Sequence, residues 1–373
     1  MLKFLRNLDF LLLGSTFFLI LIGLATTFFL SRDNPLIRLQ ITKQIIFALT
    51  GLTLFIVLAY FDLRFLRTRS LWVLLVYGAA VLSLVLVLIF GVRVHGATSW
   101  FRIGLFTLQP IEFVNIAIIL LLSKYFSVRH AEIARFRHIA ISGLYVVIPI
   151  GIAVFQPDLG AAIVLGAIWL GTLLLLELPL RHIVILGLGG LAIFIFAWVS
   201  VLAPYQKGRL ISFALTSDPQ GAGYHARQAI VSVGSGGLTG RQAGEPTQAS
   251  QDFLPESTTD FIFAASVERF GLVGATAIIL GFLVLLWRII RIASLATNNF
   301  IRSFAAGSAL LFFTHGLIHV GMNLGLMPVT GLPMPFFSYG GSHLISGFII
   351  LGILESLRIH QAQMQLDTNY LES

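Results

Sequence analysis

The sequence predicts an all-α polytopic membrane protein, a single domain over residues 1–373 with about ten transmembrane helices and a long outer loop between helices 7 and 8. Three observations carry this. Only 11% of residues are charged and 57% are hydrophobic, whereas a soluble domain usually carries about a quarter charged residues. Apolar runs such as Leu71–Phe90 contain no charge at all, and each is long enough for a bilayer core, which takes roughly 20 helical residues. Lysine and arginine are also distributed unevenly between alternate connections.

Met1–Asp9 is short and basic, and the apolar run that follows is too long for the core of a cleaved signal peptide, so a retained first span is expected. The spans fall at roughly 9–30, 42–60, 71–90, 109–126, 138–156, 158–177, 182–203, 262–287, 303–325 and 341–359. Gln156-Pro157-Asp158 reads as a tight joint between two of them, since proline breaks a helix and aspartate can cap the next. With the N-terminus in the cytoplasm, inner segments hold fourteen of the 24 Lys and Arg, and the short outer segments hold five. An excess of positive charge inside is the rule for short loops, so both termini are expected to be cytoplasmic. The net charge of +8 is accounted for by this orientation, and no nucleic-acid partner is expected. The absence of cysteine excludes disulfides, Cys-ligated zinc and thiol nucleophiles.

The loop at about 204–260 does not resemble membrane filler. It contains Gly234, Gly236, Gly237 and Gly240, whose backbone N–H groups could face an anion or which simply permit tight turns. It also holds Asp218, Glu245, Asp252, Glu256 and Asp260, and long loops in compact proteins are usually functional. No internal repeat is visible, so nothing favours an inverted-repeat transporter.

Asp260 has two readings. It is an N-cap for the eighth span, or a carboxylate beside apolar neighbours that serves as a base. Glu112 and Asp158 open the fourth and sixth spans, where an acid is either a cap or part of a polar cavity. At a helix centre such a charge costs roughly 2.5–3.5 kcal/mol, which a helix start reduces. Gln206, Lys207 and Arg209 open the long loop, and forked arginine donors suit phosphate. Glu268, inside the eighth span beside Arg269, needs a partner. His315 and His319 stand i, i+4, a spacing that suits metal binding or plain packing. The prolines at 328, 333 and 335 predict an irregular, partly re-entrant segment, tolerated at membrane depth when it is buried in protein.

Taken in order, Trp100-Phe101-Arg102-Ile103-Gly104, Gln109-Pro110-Ile111-Glu112-Phe113, Gln156-Pro157-Asp158-Leu159-Gly160, Phe253-Leu254-Pro255-Glu256, Thr259-Asp260-Phe261 and Pro328 through Ser342 resemble the SEDS family (shape, elongation, division and sporulation; the RodA, FtsW and SpoVE-like proteins) almost end to end, and its RodA branch most. The resemblance implies a peptidoglycan glycosyltransferase that polymerises lipid II during cell-wall synthesis and cell-shape maintenance. It implies a multi-pass protein of the bacterial cytoplasmic membrane with its active site on the outer face. A class B penicillin-binding protein would be the partner, and lipid II, undecaprenyl-pyrophosphate-linked glycan and membrane lipids would be bound. The family's essential aspartate falls on Asp260, and its cavity or substrate positions on Glu112, Asp158, Gln206 and Arg209, with Lys207 a further candidate for the leaving pyrophosphate. A divalent cation, Mg or Mn, would be shared with that pyrophosphate. A lipid II flippase, a division-type (FtsW-like) glycosyltransferase and a non-catalytic scaffold are the alternatives. The chain departs from the family pattern at Ile111, Asn115, Thr258 and Arg269, where serine, lysine, histidine and a second acid are usual, and at His315 and His319, where amides are expected.

Overall fold

Among the described residues ten apolar helices build the protein; nine start within four residues of an expected span, and the second starts seven residues early, at Pro35. The computed structural model describes residues 2–31, 35–94, 97–104, 106–129, 136–176, 179–200, 207–208, 211, 222–242, 245, 247–248, 253–254 and 256–371. A short α1 (Leu2–Asn7) precedes α2 (Phe10–Leu30), α3 (Pro35–Tyr60), a single turn α4 (Phe65–Thr68) and α5 (Ser70–Phe90). Then come strands β1 (Val92–Val94), β2 (Ala97–Ile103) and β3 (Phe106–Leu108), and helices α6 (Pro110–Val128), α7 (Phe136–Phe155), α8 (Leu159–Leu175) and α9 (Leu180–Ser200). The chain ends with α10 (Ala222–Ser235), α11 (Ile262–Leu295), α12 (Asn299–Asn323) and α13 (Gly341–Leu371). Among the described residues, nine of these helices are long and apolar enough to cross a membrane, and the 17-residue α8 is the tenth apolar one. At 1.5 Å per residue α8 is about 25 Å long, a little short of a bilayer core.

Local chemistry starts the helices where expected. The Asp9 carboxylate accepts from Leu12 N at 3.1 Å, Asp158 from Ala161 N at 2.9 Å and Asn298 from Ile301 N at 3.0 Å, each an ordinary N-cap. Pro110 opens α6, where its missing N–H is harmless. In the centre α6, α12 and the Gly341–Gln361 part of α13 are mostly buried, while α9 is largely exposed. Small residues let helices approach closely: a side chain at Gly352 would meet the Phe55 backbone at 3.1 Å, and one at Gly51 would meet the Phe348 ring.

Three features differ from expectation. First, residues 92–108 form a three-stranded antiparallel sheet, with Val92 opposite Trp100 and Phe101 opposite Leu108. The Phe101-Arg102-Ile103 alternation is too short to compete with the helical pattern around it. Second, the loop after α9 contains a helix, α10. Third, α11 runs 34 residues and carries a break at Gly271, where φ is 66°. Gly271 closes against Gly240 N and Leu238 O, each about 2.4 Å from where a Cβ would stand. The amides of Leu272 and Val273, freed by the break, donate to Gly237 O and Leu238 O. Gly240 N donates to Gly236 O and Arg241 N to Glu268 O, so these loop glycines serve close backbone packing.

The two ends of the bundle differ in chemistry. At one end, called here the sheet end, lie the sheet, the loop around α10 and the irregular stretch 324–340. At the other, Asp9 N donates to Glu355 Oε1 at 2.7 Å, Arg358 pairs with Glu355 at 2.6 Å and donates to Asn7 O, and Arg288 pairs with Asp9. This network ties the beginning of the first span to the end of the last. Each buried acid has a guanidinium, as buried charges require.

Candidate active site

Asp260 lies at the sheet end in a tight turn, residues 256–261, that leads into α11. The carbonyl of Glu256 gathers the N–H groups of Thr259, Asp260 and Phe261 at 3.1–3.2 Å. Glu256 itself has φ 53°, a left-handed conformation that costs a non-glycine residue about 1–3 kcal/mol and clusters at functional sites. Asp260 is not the cap of α11. That position is Phe261, which offers no side-chain bond. The orphan Ala264 N–H donates instead to Asn323 Oδ1 of α12, 2.9 Å away, and Asn323 Nδ2 donates to the carbonyls of Asp260 and His319 at 2.9 and 2.8 Å. A fully buried amide from another helix therefore does the capping and also holds the Asp260 backbone.

The stretch 328–336, called the strap, passes beneath the carboxylate. Gly331 (φ 76°) lies so close that a Cβ there would stand 3.3 Å from Asp260 Oδ2. Ser338 Oγ donates to Thr259 O at 3.0 Å, and Tyr339 N donates to Thr258 O at 3.0 Å. Burial pushes the Tyr339 phenol above its usual range, so at neutral pH it is protonated and a donor. Replacing Gly331 by alanine adds a methyl group against Asp260 and forces an unfavoured φ. The expected result is at least a tenfold loss of turnover, with the protein still folded; 1 Å of misplacement is enough for about a hundredfold. Wild-type turnover by that variant would show that the strap does not set the carboxylate.

Glu112, at the first turn of α6, is 4% exposed. Its Oε1 accepts from His343 Nδ1 at 2.9 Å and its Oε2 from Ser346 Oγ at 3.2 Å. The His343 ring stacks on His315, with centroids 4.8 Å apart. Asn115, one turn along α6, is buried too, and its Oδ1 has no partner among the described residues. Asp158 caps α8, as the plainer of its two readings had it. Two residues later Gly160 packs under the strap, with a Cβ position 3.0 Å from the Leu332 side chain and 3.5 Å from Thr330 O. Asp260 touches the strap at Gly331 and the helix capped by Asp158 touches it at Leu332, while Glu112 is linked to it through His343 and His315. Lys207 is half-buried on a short helical pair, while Gln206 and Arg209 lie outside the described residues.

Glu268 has its partners: Oε1 accepts from Gln248 N at 2.9 Å and lies 3.8 Å from Arg241 Nε. Arg269 donates to the carbonyls of Arg241 and Gln242 and lies over the Phe29 ring. Both residues fasten the loop 235–248 to α11. Among the described residues, no three His, Asp or Glu side chains converge as a metal cage. His315 and His319 turn their Nδ1 atoms to strap carbonyls, so their i, i+4 spacing serves packing in the described structure.

Sequence reasoning missed Asn323, Glu256, Ser338 and His343 as parts of the site. A signal for Asn323 existed. His315, His319 and Asn323 recur every fourth residue in an apolar helix, a polar stripe on one face.

A family model described as cell cycle protein, FtsW, RodA and SpoVE, matches residues 6–363. The chain is 36% identical over 316 residues to stage V sporulation protein E of Bacillus subtilis, which covers 84% of this chain and 85% of that one. It is 33% identical over 315 residues to the peptidoglycan glycosyltransferase MrdB of Escherichia coli, covering 84% of each. Among solved structures, a chain from a peptidoglycan synthase complex that coordinates polymerization and crosslinking superposes with TM-score 0.79 at 28% identity, covering 94% of this chain and 98% of that one. The crystal structure of the rod shape determining protein RodA of Thermus thermophilus superposes with TM-score 0.70 at 27% identity, covering 95% and 96%.

Proposed function

The chain belongs to the FtsW, RodA and SpoVE family of cell cycle proteins, and from that premise we propose that it is a peptidoglycan glycosyltransferase that polymerises lipid II, with Asp260 as its base. One observation carries the assignment of the base. The Asp260 carboxylate lies against the strap, its Oδ2 3.3 Å from where a Gly331 Cβ would stand, while Asn323 of α12 takes the Ala264 N–H of α11.

The reaction is a displacement at an anomeric carbon. The donor is a lipid-linked glycan whose sugar C1 is bonded to undecaprenyl pyrophosphate. The acceptor is lipid II, through its GlcNAc 4-hydroxyl. Asp260 takes the hydroxyl proton as that oxygen forms the bond to C1. The C1–O bond to pyrophosphate breaks, and an α-linked donor becomes a β1,4 product. A positioned base typically contributes about 10²–10⁴-fold. The departing pyrophosphate needs positive charge, for which Arg209 and Lys207 are the candidates, and Gln206, Glu112 and Asp158 shape the cavity. The described side chains form no metal cage, so a divalent cation would arrive with the pyrophosphate, and no step here depends on it. The sheet end faces outward from the bacterial cytoplasmic membrane, with both termini in the cytoplasm. A class B penicillin-binding protein is the partner. Within the family the elongation (RodA-like) role is our choice, supported by the near end-to-end match to RodA of Thermus thermophilus.

Purified protein with its partner, given lipid II, is expected to yield glycan polymer on a gel. Proteoliposomes with fluorescent lipid II decide between enzyme and flippase: exchange between leaflets without polymer would overturn the assignment. Unchanged yield in the presence of a chelator removes the cation. Depletion in a rod-shaped host separates the branches, since rounding marks elongation and filamentation marks division.

A further inference from the structure

His315 and His319 lie behind the strap, and the reaction above uses neither of them. They sit one turn apart on α12 and are 2% and 0% exposed. Their Nδ1 atoms stand 3.2 Å from Pro333 O and 2.9 Å from Leu332 O. A carbonyl oxygen only accepts, so each Nδ1 must carry the proton. Nothing favours the opposite tautomer, because the Nε2 of each ring is buried and has no hydrogen-bond partner among the described residues. Two donors from one helix face therefore hold two consecutive carbonyls of the strap. Those carbonyls directly follow Gly331, the residue in contact with the Asp260 carboxylate. One turn further along the same face, Asn323 holds the Asp260 carbonyl. Base and strap are thus referenced to a single rigid helix, although residues 328–334 have no regular secondary structure of their own.

We propose that His315 and His319 are positioning residues for Asp260, whose Nδ1–H donors fix the strap beneath the carboxylate. The proposal rests on Asp260 being the base. Its geometric part is tested without activity, by nitrogen-15 spectra of histidine-labelled protein, with signals assigned from the single His→Asn variants. Both residues are expected in the Nδ1-protonated tautomer at neutral pH, and an Nε2-protonated ring at either position overturns the proposal. Its functional part is tested by substitution. His315→Leu and His319→Leu remove the donor and are expected to lower kcat about tenfold to a hundredfold with KM nearly unchanged. His315→Asn and His319→Asn place an amide N–H near the Nδ1 position and are expected to recover to within about threefold of wild type. Leucine variants with wild-type kcat, or folded asparagine variants as slow as the leucine ones, overturn it. Where a leucine variant does not fold, the asparagine variant and the spectra decide. Failure of the wild-type protein to polymerise lipid II would overturn the reading of Asp260, while the spectra still decide how the strap is held.

Discussion

Asp260→Asn is expected to abolish lipid II polymerisation, by a factor of about 10²–10⁴ or to below detection. The substitution is nearly isosteric, and every backbone contact that holds the turn remains. Glu256 O still accepts its three N–H groups, and Asn323 still reaches the residue-260 carbonyl. Folding and lipid II binding should therefore persist while proton acceptance is lost. The measurement is initial polymerisation rate with saturating lipid II, alongside the unfolding temperature of the same preparation. An Asp260→Asn protein that polymerises at wild-type rate would remove Asp260 as the base. Asp260→Ala is the weaker test, because it also changes packing over Gly331.

The second large effect is on stability. Glu112→Ala is expected to cost about 1–3 kcal/mol, since removing the buried carboxylate leaves the buried His343 Nδ1 without its hydrogen-bond partner. The carboxylate serves His343 and Ser346 on α13, and His343 stacks on His315 of α12. Its loss would loosen the junction of the three most buried helices. Glu112→Gln keeps the shape and two polar contacts and should cost less. Thermal unfolding in detergent provides the comparison. A Glu112→Ala protein with wild-type stability but a raised KM would instead make Glu112 a direct substrate contact, the role assigned to it by resemblance.

The spans and their order were legible because a bilayer core imposes length and apolarity on each segment independently. The cap at Asp158 was legible for the same local reason. Asp260 could be singled out but not interpreted. A Ser-Thr-Thr-Asp run before an apolar helix reads as capping, and the alternative depends on an amide 63 residues away in sequence. Gly236, Gly237 and Gly240 of the long loop were ambiguous in the same way, open to an anion or to tight turns. Their partners are backbone groups of α11 around Gly271, which no local pattern reveals.

Composition and periodicity by themselves determined that this is a multi-pass helical membrane protein, where its helices begin, and which acids stand at their ends. The ordered motifs added the family. Only the tertiary structure decided which helix starts are capped locally and which from another helix, that Glu112 is sealed against His343, and that α12 carries one polar face for both the strap and the Asp260 backbone. The physical reason is that a cap is satisfied by whichever donor or acceptor comes within about 3 Å. At the start of α11 that group arrives from a different helix.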